Sequence, residues 1–121
     1  MQATNPTIAR KPLFFLHGEV KTPPFGEKAR KDVGDGLRRV QDGESPPFPL
    51  SRPMPSIGPR CHELRVEDAV SRVTWRIVYR TDADAVVVAG IFAKKTRATP
   101  KAEIDNCRAR LARYDRAAKG E

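Results

Sequence analysis

Five charged residues have the chemistry to grip and cut a phosphodiester: Glu63, Arg65, Arg76, Lys94 and Lys95. They lie in or just after three strand-like runs, His62–Val66, Val73–Arg80 and Ala85–Phe92. Cleavage of RNA without a metal uses the ribose 2′-hydroxyl against the adjacent phosphate. The 2′ proton must be removed, the phosphorane charge stabilised and the leaving 5′ oxygen protonated. Arg76 and Arg65 suit the stabilising task, because a guanidinium stays charged and grips phosphate oxygens in pairs. Lys94 or Lys95, with a pKa lowered by neighbouring cations, can exchange a proton. Glu63 is the one anion of the group, either a base or the residue that orients Arg65 or Arg76. The plainer alternative is a solvated sheet face with a Glu63–arginine salt bridge, which is worth only about 0–1 kcal/mol.

Strand alternation decides whether these groups can meet. Val73, Trp75, Ile77 and Tyr79 share the side that carries the only tryptophan, which makes it the core side. Thr74, Arg76, Val78 and Arg80 share the other. In the run before, His62, Leu64 and Val66 lie on one face, and Glu63 and Arg65 on the opposite one. Antiparallel pairing then puts Arg65 and Arg76 on one open face of the sheet, with Lys94 and Lys95 where the last strand ends. Arg60, Arg80, Arg97 and Lys101 are the basic residues expected to bind RNA around this cluster.

The elements that must hold them are legible in outline. Residues 1–11 have no apolar period and read as a flexible tail, and residues 12–121 as a single domain. Leu13–Val20 is an apolar run that reads as the first strand. Thr22-Pro23-Pro24 opens a helix. Its apolar face is Phe25, Ala29, Val33, Leu37 and Val40. Gly34 and Gly36 weaken it by about 1 kcal/mol each relative to alanine, and Gly43 stops it. Residues 45–60 are proline-rich, which excludes a helix or a central strand. They read as a stiff extended loop over one face, docked by Phe48, Leu50, Met54 and Ile57.

The three strand runs, with turns near 67–72 and 82–84, form an antiparallel meander. Thr99 is the expected N-cap of a last helix whose core stripe is Ile104, Cys107, Leu111 and Tyr114. The fold class is therefore α+β: a small, mostly antiparallel sheet with flanking helices.

Net charge is +8, and residues 94–121 alone hold nine basic and four acidic side chains. A surface of this kind suits nucleic acid or an acidic protein, or is simply a solvated basic face. No apolar run has the length of a membrane span, and no signal-peptide pattern opens the chain, so a cytoplasmic protein is expected. Cys61 and Cys107 lack metal-ligand spacing and read as buried free thiols. His62 reads as a half-buried, hydrogen-bonded histidine, and His17 is similar. No metal-ligand spacing, Gly-rich phosphate loop or Ser/His/Asp arrangement occurs, so the residues support neither zinc hydrolysis nor Gly-rich nucleotide binding.

Several segments, in order, resemble the phage-derived, HigB-like branch of the RelE/HigB toxin superfamily. They are His17-Gly18-Glu19-Val20-Lys21-Thr22-Pro23-Pro24-Phe25, Ser51-Arg52-Pro53-Met54-Pro55-Ser56-Ile57-Gly58, His62-Glu63-Leu64-Arg65, Trp75-Arg76-Ile77-Val78-Tyr79 and Phe92-Ala93-Lys94-Lys95-Thr96, followed by Thr99-Pro100 and Ile104. The resemblance implies a RelE-like sheet flanked by helices. It implies the toxin of a type II toxin–antitoxin system, a metal-independent endoribonuclease that cleaves mRNA on the ribosome. It implies a helix-turn-helix antitoxin as partner, and neither a metal nor an organic cofactor. By position it favours Arg76 and Lys95 as site residues, then Arg65 and Lys94. Some relatives carry lysines on the strand matched here by Cys61 to Arg65, where this chain has Glu63 within the stretch, and Tyr114 lies too far along its helix to match their reactive-group residue. A non-catalytic basic RNA- or protein-binding module, or an inactive phage-derived relative, stands as the alternative.

Overall fold

The structure, a computed structural model, describes residues 10–16, 23–47, 50–94 and 98–120, and for Lys94 the backbone. Its elements are β1 (Leu13–Phe15), α1 (Glu27–Gln41), β2 (Ser51–Pro53), β3 (Cys61–Asp68), β4 (Val73–Thr81), β5 (Val86–Lys94) and α2 (Lys101–Ala118).

The expected apolar stripe forms α1, which buries Ala29, Val33, Leu37 and Val40. Gly36 does more than weaken the helix. A Cβ there would lie 2.8 Å from Leu64 Cδ2, so its absence lets α1 settle onto β3. The helix ends as expected at Gly43, with φ +90°, whose N–H reaches the Val40 carbonyl at 3.0 Å. At the other end Gly26 is the N-cap and no side chain caps the helix. The Gly26 N–H is bonded instead to Asp68 Oδ2 at 2.7 Å. Phe25 meets Trp75 edge-on, with centroids 4.9 Å apart.

The five strands lie in the order β1-β5-β4-β3-β2. The meander β3-β4-β5 is antiparallel, and β2 joins β3 antiparallel. β1 pairs with β5 in parallel, so the sheet is mixed. The expected first strand, Leu13–Val20, is seen as Leu13–Phe15; residues 17–22, His17 among them, lie outside the described residues. The proline-rich segment also contributes an edge strand, β2. Pro53 sits at its end, a place where the missing N–H costs no central ladder bond. Met54 and Ile57 are buried as expected and Leu50 packs against the core, while Phe48 lies outside the described residues.

One face of the sheet was expected to be open, and the structure corrects this. α1 covers Leu64, Val66, Trp75, Ile77, Tyr79, Val86 and Val88. A second cluster on the other face holds Val78, Val87 and Ala89 under Cys107 and Leu111 of α2, with Met54, Ile57 and Cys61 beside them. The cause is β5, whose apolar run buries side chains on both faces. A bulge between Val78 and Tyr79 pairs Val78 with Gly90 and Tyr79 with Val88. A Cβ on Gly90 would come within 2.9 Å of Cys107 Sγ, so this glycine admits α2. Leu64 and Ile77 are fully buried, each contributing about 1.5–3 kcal/mol by leaving water.

Both cysteines are free and buried. Burial pushes the Cys107 thiol up to about 12 and raises Cys61 as well. Both are therefore packing groups rather than nucleophiles. His62 is half-buried, as expected, stacked on Tyr79 at 5.5 Å with Nδ1 3.3 Å from the Arg60 carbonyl.

Asp68 ties the α1 entrance to the β3–β4 hairpin. Its carboxylate accepts N–H groups from Gly26, Trp75 Nε1 (2.9 Å), Val70 (3.1 Å) and Ser71 (3.2 Å). The Gly26 and Trp75 bonds, in that order, hold its pKa at about 2, below the ordinary 3.8. A lowered carboxylate pKa stabilises the fold above the unfolded-state value and loses that contribution as pH falls through the folded one. Stability is thus expected to decline as pH drops from 3.8 toward about 2. Asp68→Asn should be less stable at neutral pH and decline less over that window. Equal acid slopes in urea unfolding of the two proteins would remove Asp68 from this role.

Candidate nucleic-acid interface

Three strands and the approach to α2 build the cluster. In the β3–β4 register Arg65 stands directly opposite Arg76, and in the β2–β3 register Arg52 stands opposite Glu63. Glu63 is paired with Val78, which makes Arg76 its diagonal neighbour, within reach of a long side chain. Glu63 Oε1 accepts Arg76 Nη1 at 2.8 Å and Arg52 Nε at 3.1 Å. Its Oε2 accepts the Thr99 hydroxyl at 3.2 Å. Glu63 is 0% exposed and Arg76 only 5%. A carboxylate held by two guanidiniums and a hydroxyl orients them. Of the two roles open to Glu63, this geometry serves orientation.

Arg65 differs. It is half-buried, and its side chain makes no hydrogen bond or ion pair with any described residue. Its Nε is buried without a partner, and so is Arg76 Nε. Like charges set directly opposite on a sheet repel one another. The single buried carboxylate offsets part of that repulsion, and two N–H donors remain unmatched.

Both arginines line an open groove of about 1250 Å³ that runs past the uncovered part of β3 toward Asp32, Asp35 and Arg39 of α1. The site therefore sits beside the start of β2, whose Ser51 pairs with Leu64.

Thr99 was expected to cap α2. Pro100 occupies the N-cap position without a side-chain bond, and the Thr99 hydroxyl is directed to Glu63. α2 otherwise follows its stripe: Cys107 and Leu111 are buried, and Ile104 and Tyr114 pack against them.

Lys94 occupies the last position of β5, opposite Thr74. Lys95 and Arg97 lie outside the described residues. Arg80 is four residues from Arg76, roughly 13 Å along the strand, and its guanidinium is fully engaged. It bonds Asp82 at 2.7 and 2.9 Å and Asp115 at 2.7 and 3.0 Å. Asp115 and Asp82 raise the Arg80 pKa, and Arg80 in turn lowers that of Asp115. Arg80 thus clamps α2 to the β4–β5 turn.

Arg60, with φ +62°, lies at the same end, bonded to the Thr81 carbonyl at 3.1 Å and 3.5 Å from Asp82. Lys101 is exposed and paired with Asp105 at 2.7 Å. Arg60 and Arg80 line a separate recess of about 340 Å³ with Arg108. The structure therefore brings Glu63, Arg65 and Arg76 together and sets Arg60 and Arg80 apart from them.

Arg52 and Thr99 are members of the cluster that residue patterns did not assign to it. The available signal for Arg52 was a cation inside a proline-rich segment, which also holds Arg60. Thr99 carried only a capping signal. Among the described residues no group of His, Cys, Asp and Glu could hold a metal ion.

Fold and site together define a small α+β protein, a mixed five-stranded sheet with two flanking helices that presents an arginine cluster beside a groove. The chain belongs to the phage-derived Gp49-like protein family (DUF891), which it matches over residues 24–112. That span runs from before α1 into the second half of α2 and contains every member of the cluster. No match was found among curated proteins. No helix among the described residues is long and apolar enough to cross a membrane.

Proposed function

We propose that this protein is the toxin of a type II toxin–antitoxin system, a metal-independent endoribonuclease that cleaves mRNA at the ribosome. The observation that carries the reading is the direct opposition of Arg65 and Arg76 beside an open groove, with donors left over for a ligand. The α+β architecture is compatible with a RelE-like topology, and the resemblance to the HigB-like branch spans the same residues. In this reading the RNA phosphate lies against Arg65 and Arg76, which stabilise the charge that builds as the 2′-hydroxyl attacks. Glu63 and Arg52 hold Arg76 in place. Lys94 or Lys95 exchanges the protons. The protein acts in the cytoplasm, and a helix-turn-helix antitoxin keeps it silent.

A second reading, a basic module that binds RNA without cutting it, draws on Glu63 itself. This carboxylate is buried and accepts three hydrogen bonds from Arg76, Arg52 and Thr99, which argues against the nearest candidate for a base.

Controlled expression separates the two. The parent is expected to arrest growth and leave cut messages with a new 5′ end and a cyclic or 3′ phosphate. Arg76→Ala and Lys95→Ala are expected to do neither. A parent that binds RNA and leaves it whole supports the second reading. Variants as potent as the parent move the chemistry elsewhere.

A further inference from the structure

We infer that the Arg65–Arg76 pair is a site for a doubly charged terminal phosphate, the chemistry shared by the 3′-phosphate monoester end of an RNA fragment and by free orthophosphate. The inference rests on the reading of this face as one that receives phosphate groups, and it adds which phosphate the face holds best.

Among the described residues Glu63 is the one carboxylate bonded to any of Arg52, Arg65 and Arg76, and Asp32 and Asp35 line the same groove without pairing with them; within the cluster two positive charges stay unbalanced. Glu67, further along the same face, is exposed and pairs with neither arginine. Arg76 is 5% exposed and bonded to Glu63, so the charge without a partner lies on Arg65, which lines the groove. The two Nε groups, one on each opposed guanidinium, are buried without acceptors. Buried polar groups in folded proteins are almost always matched, so a pair left unmatched marks a place prepared for an acceptor.

A guanidinium presents its donors as a planar fork that fits two oxygens of one phosphate. A monoester near neutral pH carries roughly −1.5 to −2 charges and three terminal oxygens. It cancels the surplus and supplies acceptors to both forks. The linkage inside an intact strand carries one charge and two free oxygens, and leaves the cluster short on both counts. The groove beside the arginines provides the entry. The consequence is retention of a cut end that terminates in phosphate, and competition by orthophosphate.

The test titrates the purified full chain with orthophosphate, and separately with dimethyl phosphate as a singly charged diester, at ionic strength matched with potassium chloride. Thermal unfolding and phosphorus NMR line width are the readouts. A short oligonucleotide ending in 3′-phosphate is compared with the same one ending in 3′-hydroxyl.

Orthophosphate is expected to bind saturably and to outcompete dimethyl phosphate by about tenfold or more. The 3′-phosphate should tighten the oligonucleotide by a similar factor. Arg65→Gln should remove most of both effects; having no partner to lose, it should also leave the fold intact. Orthophosphate binding alone assigns the site to the free ion, and a gain for the 3′-phosphate alone assigns it to RNA ends. Each supports the inference. No saturable binding by either ligand, equal binding of the diester, or full binding by Arg65→Gln overturns it. Phosphate binding without RNA cleavage would sink the ribonuclease reading and leave this one standing. Cleavage without monoester binding would do the reverse.

Discussion

Glu63→Ala is expected to cost about 3–5 kcal/mol of unfolding free energy, the range for breaking a buried ion pair by removing one partner. The size follows from what stays behind. Arg76 is 5% exposed, loses its acceptor at 2.8 Å and still faces Arg65 across the strand pair. Arg52 and the Thr99 hydroxyl lose partners in the same step. Arg76→Ala should cost a similar amount, because it leaves a fully buried carboxylate with its main partner gone. The joint replacement Glu63→Leu with Arg76→Met should recover most of the loss, since apolar side chains of similar volume often match a buried pair in stability. It should also abolish any action on RNA. Urea unfolding of the singles and the double, at constant slope, measures all of this. A loss below about 1 kcal/mol for Glu63→Ala would mean that the pair behaves as a solvated one.

Arg65→Ala is expected to separate function from stability. Removing one preorganised donor from a developing anion typically costs about 10²–10³ in rate, and cleavage of message should fall by that much. The fold should hold, because the Arg65 side chain makes no hydrogen bond or ion pair with any described residue, its backbone bond to the Leu50 carbonyl is kept, and its removal relieves repulsion at Arg76. The melting temperature should stay level or rise. Cleavage equal to that of an active parent would exclude Arg65 from the site. A large loss of stability would show that Arg65 has a structural task instead.

The contrast between Glu63 and Arg65 shows how far residue patterns reach. Both were placed on the same face by alternation, and both lie there. Alternation does not distinguish the inner carboxylate from the outer cation. That difference arises because Arg52 of β2 and Thr99 before α2 close over Glu63 from 11 and 36 residues away. Arg80 teaches the same lesson. Its strand position marked it as a basic residue of the site face, whereas Asp115, 35 residues on, binds it into a clamp. β1 was legible as a short apolar run, but its parallel seat beside β5 was not, because pairing partners are chosen by packing across the whole sheet.

Local sequence was enough for the elements whose signal is periodic. The 3.6-residue stripes of α1 and α2 and the two-residue alternation of β3 and β4 are consequences of backbone geometry, and they also settled which side of β4 carries Trp75 and which carries Arg76. Only the assembled fold decided the rest: the strand register that sets Arg65 against Arg76, the burial of Glu63, and the second apolar layer under α2. Those depend on contacts between residues distant in the chain. Their free energies are settled by what surrounds a group once water has left, and residue spacing carries no measure of that.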